Sequence, residues 1–131
     1  MRRLIIVIAA AASAAIMAGP AWAGGTPVAT IASCRASGAQ ASCTVTGTIR
    51  HPTIIRAHAT ARPAQHVTVR WSMTCISGKA TGTASGSFTA RTPVSRILPH
   101  PFRHPRSCTV TATTRLAKTG HLHAWLTAQN S

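Results

Sequence analysis

Val67-Thr68-Val69-Arg70-Trp71-Ser72-Met73-Thr74-Cys75 alternates without a break. Val67, Val69, Trp71, Met73 and Cys75 fall on one side; Thr68, Arg70, Ser72 and Thr74 fall on the other. A period of two sustained over this length predicts a strand with one buried face. The pattern recurs along the chain. Cys43, Val45, Gly47 and Ile49 alternate with Thr44, Thr46, Thr48 and Arg50, and Cys108, Val110 and Ala112 with Thr109, Thr111 and Thr113. Leu122, Ala124, Leu126 and Ala128 alternate with His121, His123, Trp125 and Thr127. Ala84, Gly86, Phe88 and Ala90 form a weaker face, and Thr53 to Thr60 is a further candidate. Short strands separated by turn signals predict an all-β fold, a small antiparallel β-sandwich.

Four cysteines, Cys34, Cys43, Cys75 and Cys108, accompany these strands. Four allow three pairings. The favoured one is Cys34–Cys43 with Cys75–Cys108, because residues 35–42 hold a Ser37-Gly38 turn signal between neighbouring segments. Metal-binding cysteines come in close Cys-x-x-Cys pairs, which this chain lacks. The strands carrying Cys75 and Cys108, with Trp71 between the sheets, resemble the pinned core of an immunoglobulin-like sandwich. The resemblance is one of architecture. The two cysteines lie closer in sequence than in immunoglobulin domains, Trp71 shares the first cysteine's strand, and no tyrosine is present for a tyrosine corner. No functional residue carries over.

The N-terminus reads as a signal peptide. Arg2 and Arg3 precede an apolar run from Leu4 to Ala18, Gly19-Pro20 breaks it, and Ala21-Trp22-Ala23 has the small-x-small form of a cleavage site. The run is shorter than the roughly 20 residues that span a bilayer. Arg2-Arg3 also fits a twin-arginine signal, but ordinary export accounts for it as well. Residues 1–23 are therefore assigned to the leader and 24–131 to a single domain outside the cell, with no membrane anchor after cleavage. Secreted material should begin at Gly24; a mass spectrum showing Met1 or Leu4 retained would contradict this.

The 131-residue chain has 14 Lys and Arg and no Asp or Glu, a formal charge of +14. Average composition would place about 16 carboxylates in it. Their absence excludes paired-carboxylate glycoside hydrolysis, EF-hand calcium sites and any Ser-His-Asp triad. Beyond the leader, 12 fixed cations remain, ten of them Arg, with only 21 apolar side chains larger than Ala or Cys. So thin a core points to reliance on disulfides, and so one-sided a charge to a polyanionic partner. Wall phosphopolymer, acidic glycan, anionic lipid and extracellular nucleic acid all qualify, although no nucleic-acid-binding motif is present.

Particular residues sharpen this. Ser42 to Arg50 reads SCTVTGTIR and Ser107 to Arg115 reads SCTVTATTR. The phrase is either a duplicated ligand face or two strands with Thr-filled exposed sides, and the absence of similarity on either flank favours the second. His100-Pro101-Phe102-Arg103-His104-Pro105-Arg106 is the densest basic stretch and reads as a loop. Arg103, His104 and Arg106 are accordingly the anion-binding candidates. His121 and His123 share one strand face and form a weak metal pair, whose third ligand would have to be His51, His58, His66, His100 or His104. No Ser sits in a nucleophile elbow, and no acidic side chain can orient a histidine, so no enzymatic activity and no cofactor are expected. The expected function is electrostatic binding to the cell envelope. The alternative is a secreted antagonist, a cationic antimicrobial or an inhibitor presenting residues 35–42 or 99–106 as a disulfide-anchored loop.

Overall fold

The computed structural model describes residues 28–130. The leader lies outside them. Eight strands run through this region: β1 (Ala29–Gly38), β2 (Ser42–Arg50), β3 (Pro52–Arg62), β4 (His66–Ser77), β5 (Ala80–Arg91), β6 (Val94–Ile97), β7 (Ser107–Leu116) and β8 (Gly120–Asn130). They form two antiparallel four-stranded sheets, β1-β8-β3-β6 and β2-β7-β4-β5. The first strand pairs with the last, the second with the seventh, the third with the sixth and the fourth with the fifth. The chain is thus one long hairpin rolled up on itself, closed by the β8–β3 and β7–β4 ladders.

That connectivity is a jelly roll. In an immunoglobulin sandwich the first two strands are neighbours in one sheet; here β1 and β2 lie in opposite sheets. The disulfides follow the same logic. Both predicted bridges are present. Cys75 and Cys108 are direct cross-strand partners within one sheet, with Cα atoms 4.1 Å apart. The tie between the sheets is Cys34–Cys43, joining β1 to β2 at their shared edge.

The alternation places the core. Val67, Val69, Trp71, Met73 and Cys75 are buried together with Val45, Ile49 and Val110 from one sheet and Ile55, Leu122 and Leu126 from the other. Much of the remaining inner surface of the first sheet is alanine: Ala57, Ala59, Ala124 and Ala128. Small residues opposite large ones let the layers interdigitate, so few large apolar side chains suffice to fill the interior. Trp71 lies over Gly86, where a Cβ would come within 3.0 Å of its Nε1. The open side between β5 and β6 is covered by Arg96, whose guanidinium sits 4.1 Å from the Phe88 ring centroid.

The outer face of the second sheet is built from the repeated phrase. The two copies pair with each other in antiparallel register, Ser42 opposite Arg115 and Arg50 opposite Ser107. Three outward pairs, Thr44–Thr113, Thr46–Thr111 and Thr48–Thr109, have hydroxyl oxygens 2.8, 3.2 and 3.1 Å apart. The rows continue across the sheet as Thr46–Thr111–Ser72–Ser85 and Thr48–Thr109–Thr74–Thr83.

One buried polar side chain organises the end carrying the β3–β4, β5–β6 and β7–β8 turns. Gln65 Nε2 donates to Pro63 O and Thr119 O, its Oε1 accepts from Lys118 N, and its backbone bonds Thr92. Gly120 is required beside it, because a Cβ there would lie 2.8 Å from Gln65 Nε2 and 2.7 Å from Arg62 O. Gln65→Ala removes the side-chain partner of these part-buried groups, so it should cost about 2 kcal/mol in denaturant unfolding. A loss below about 0.5 kcal/mol would mean that water replaces the amide.

Candidate functional site

The β1, β8 and β3 strands set the outward residues of the first sheet in rows. His121 lies between Ser37 and Arg62, His123 between Arg35 and Thr60, and Trp125 between Ser33 and His58. Because strand side chains alternate, all of these point away from the core. Arg35, Ser37, Thr60, Arg62, His121 and His123 line an open cavity of about 680 Å³. Ser37 Oγ and His121 Nδ1 are hydrogen-bonded at 2.8 Å. Trp125 extends the site along β8, stacked against His58 at 5.0 Å between centroids and against His123 at 4.7 Å. His58 Nε2 in turn bonds Thr127 Oγ1 at 2.7 Å.

Two arginines and two histidines facing one cavity create a positive potential with no acidic side chain to offset it. Two histidines on this sheet face are shifted. Burial, and secondarily the Arg35 charge, holds His123 below the usual histidine pKa; burial, and secondarily Arg56, does the same to His58. An anion entering the cavity would oppose the Arg35 contribution and draw a proton onto His123.

The sequence candidates fall differently. His121 and His123 do share this face. Among the described residues, however, no three His, Cys, Asp or Glu side chains gather closely enough to hold a metal ion. Two arginines in the same cavity make it a poor place for a cation. Arg103, His104 and Arg106 are exposed at the opposite end of the sandwich, in the connection between β6 and β7. That connection is pinned by backbone hydrogen bonds from Leu98 N to Ile55 O and from Arg106 N to Ile76 O. Phe102 packs against the core beside Gly82 rather than flanking the arginines as a free aromatic. Arg103 borders a smaller cavity of about 340 Å³ shared with His100 and Thr53.

Residues 35–42 are not the free loop that an inhibitor would present. Residues 35–38 finish β1, leaving only 39–41 as the turn. Arg35 and Arg62 were not singled out in the sequence, since nothing local distinguishes them from the other arginines. Only the β8 register, with Arg35 opposite His123 and Arg62 opposite His121, makes them a pair. Comparison with protein-family models and with curated proteins found no match for the chain. Among the described residues, no helix is long and apolar enough to cross a membrane.

Proposed function

We propose that the chain is exported, loses its leader, and acts as a non-catalytic module that holds polyanionic polymer or surface at the cell envelope. The observation that carries this reading is the convergence of Arg35, Arg62, His121 and His123 on one cavity in a chain without an acidic side chain. Arginine forks suit phosphate, sulfate and carboxylate alike. Two disulfides are compatible with an extracellular setting. Ser37 touches His121 and Thr127 touches His58, but no acidic side chain exists to orient either imidazole.

The test is a pull-down of the Gly24–Ser131 protein on isolated cell wall, membrane vesicles and DNA across a salt series. Retention that falls steeply with ionic strength is expected for at least one of the three; retention by none would refute the proposal. The antagonist reading keeps one support, the pinned 98–106 connection, which presents Arg103, His104 and Arg106 from a fixed backbone. An inhibitory loop would give tight binding to a single protein target that survives high salt.

A further inference from the structure

We propose that the domain is a two-faced cross-linker, binding one acidic polysaccharide strand on each outer face of the sandwich. The proposal rests on the polyanion reading above and adds a second site to it. That site lies on the other sheet. Arg70 and Arg115 line an open cavity of about 350 Å³ together with the hydroxyl-bearing Ser42, Thr68 and Thr113. The β7–β4 register sets Arg70 opposite Thr113 and Thr68 opposite Arg115, so the two guanidinium groups sit diagonally on neighbouring strands. Diagonal positions lie about 7–8 Å apart at the backbone, close enough for both forks to reach one anionic substituent or two adjacent ones.

The surroundings of this second cavity select the ligand. It opens onto the threonine and serine rows that the repeated phrase begins and β4 and β5 continue, Thr46–Thr111–Ser72–Ser85 and Thr48–Thr109–Thr74–Thr83. Each hydroxyl can donate and accept, which matches the hydroxyls of a sugar chain lying across the strands. Neither the cavity nor these rows carries an aromatic ring, so the face offers nothing on which unpaired bases could stack. It also lacks the apolar surface that insertion into lipid requires. Charge complementarity with hydroxyl matching therefore favours a uronate- or sulfate-bearing polysaccharide over nucleic acid or membrane.

Geometry then gives the function. The arginine pairs Arg35/Arg62 and Arg70/Arg115 belong to opposite sheets and point outward in opposite directions. Packed sheets are about 10 Å apart, so two strands held on the two faces would be bridged at close range by one folded unit. Each bridge is weak alone; along a long polymer many bridges act together and the network holds by multivalency.

The experiment is turbidity and co-sedimentation of the Gly24–Ser131 protein with long-chain alginate, dextran sulfate and duplex DNA. Binding to immobilised short chains of each is measured in parallel. The wild type should turn alginate or dextran sulfate turbid at intermediate ratios and clear again at protein excess. Arg70→Gln/Arg115→Gln and Arg35→Gln/Arg62→Gln should each keep binding to short chains but need about tenfold more protein for the same turbidity. Arg50→Gln/Lys79→Gln removes the same charge near the other end of the second sheet and should cross-link like the wild type.

Equal loss from Arg50→Gln/Lys79→Gln would overturn the two-site assignment in favour of diffuse charge. Soluble one-to-one complexes with no turbid phase would overturn cross-linking, since one strand would then be wrapping one domain. Turbidity with DNA alone would overturn the ligand class. Absence of binding to every short chain would instead bring down the polyanion reading itself.

Discussion

Cys75→Ala/Cys108→Ala should lower the melting midpoint by on the order of 15 °C. The bridge closes a sequence separation of 33 residues, against 9 for Cys34–Cys43. In the chain-entropy account, a loop of the longer size contributes about 3.5 kcal/mol and the shorter about 2.5 kcal/mol. For a domain near 100 residues, each kcal/mol moves the midpoint by roughly 4–8 °C. Both sulfurs are also fully buried, so their loss removes packing as well as the constraint. The fold sets up a contest between two accounts. Cys75 and Cys108 are already held opposite each other by the β4–β7 ladder, whereas Cys34–Cys43 is the only disulfide joining the sheets. If stabilisation comes from restricting the unfolded chain, the Cys75/Cys108 variant melts lower. If it comes from clamping the folded layers, Cys34→Ala/Cys43→Ala does. Calorimetry on both double variants separates the two, and a shift under about 5 °C for Cys75→Ala/Cys108→Ala would refute the entropic expectation.

The same residues show what a sequence can and cannot carry. Val67 to Cys75 announces a strand because its faces differ so much: large apolar side chains against Thr, Arg and Ser. β1 has the same period but no such contrast, with Ala32, Cys34 and Ala36 on one side and Ser33, Arg35 and Ser37 on the other. Small residues hide the alternation, so the sequence offers residues 35–42 as a loop although 35–38 finish β1. β6 is only four residues long and leaves no periodic trace. Strand order is a further matter. A cysteine on each of two alternating strands fits an inter-sheet or an intra-sheet bridge equally well, and only the β4–β7 ladder decides for the latter.

The candidate site failed to show for the same reason: His121 and His123 are close in sequence, but Arg35 and Arg62 reach them only through pairing. The repeated phrase behaved in the opposite way. Its threonines looked like strand filler, and the antiparallel pairing of its two copies turned them into ordered hydroxyl rows.

Arg35→Gln/Arg62→Gln should weaken retention on long polyanion by about tenfold at low salt and flatten its salt dependence, while the Arg70/Arg115 face still holds short chains. If about six cations meet the polymer, affinity falls about 10³-fold between 50 and 200 mM salt as counterions return. Removing two of those contacts should reduce the logarithmic salt slope by about 1.5–2. Arg103→Gln/Arg106→Gln removes equal charge at the opposite end of the sandwich and serves as the comparison. Matching losses from both pairs would leave electrostatic binding standing and remove the cavity as its centre.

Proton linkage gives a second readout at the same cavity. His123 and His58 are held below the unperturbed value near 6.5, which means the folded state resists protonating them. Without ligand, the unfolded chain takes up protons first, so this part of the stability is complete above about pH 6.5 and is lost as pH falls toward the lowered folded values. A bound anion reverses the balance beside His123 by countering Arg35. Affinity should therefore rise as pH drops below about 6.5, with net proton uptake on binding. Arg35→Gln removes one of the two causes that depress His123, so its titration should move upward and less proton uptake should accompany binding near neutral pH. Calorimetry in buffers of different ionisation enthalpy measures that uptake directly. Proton uptake unchanged in Arg35→Gln would show that the polymer does not engage the cavity where Arg35 and His123 meet.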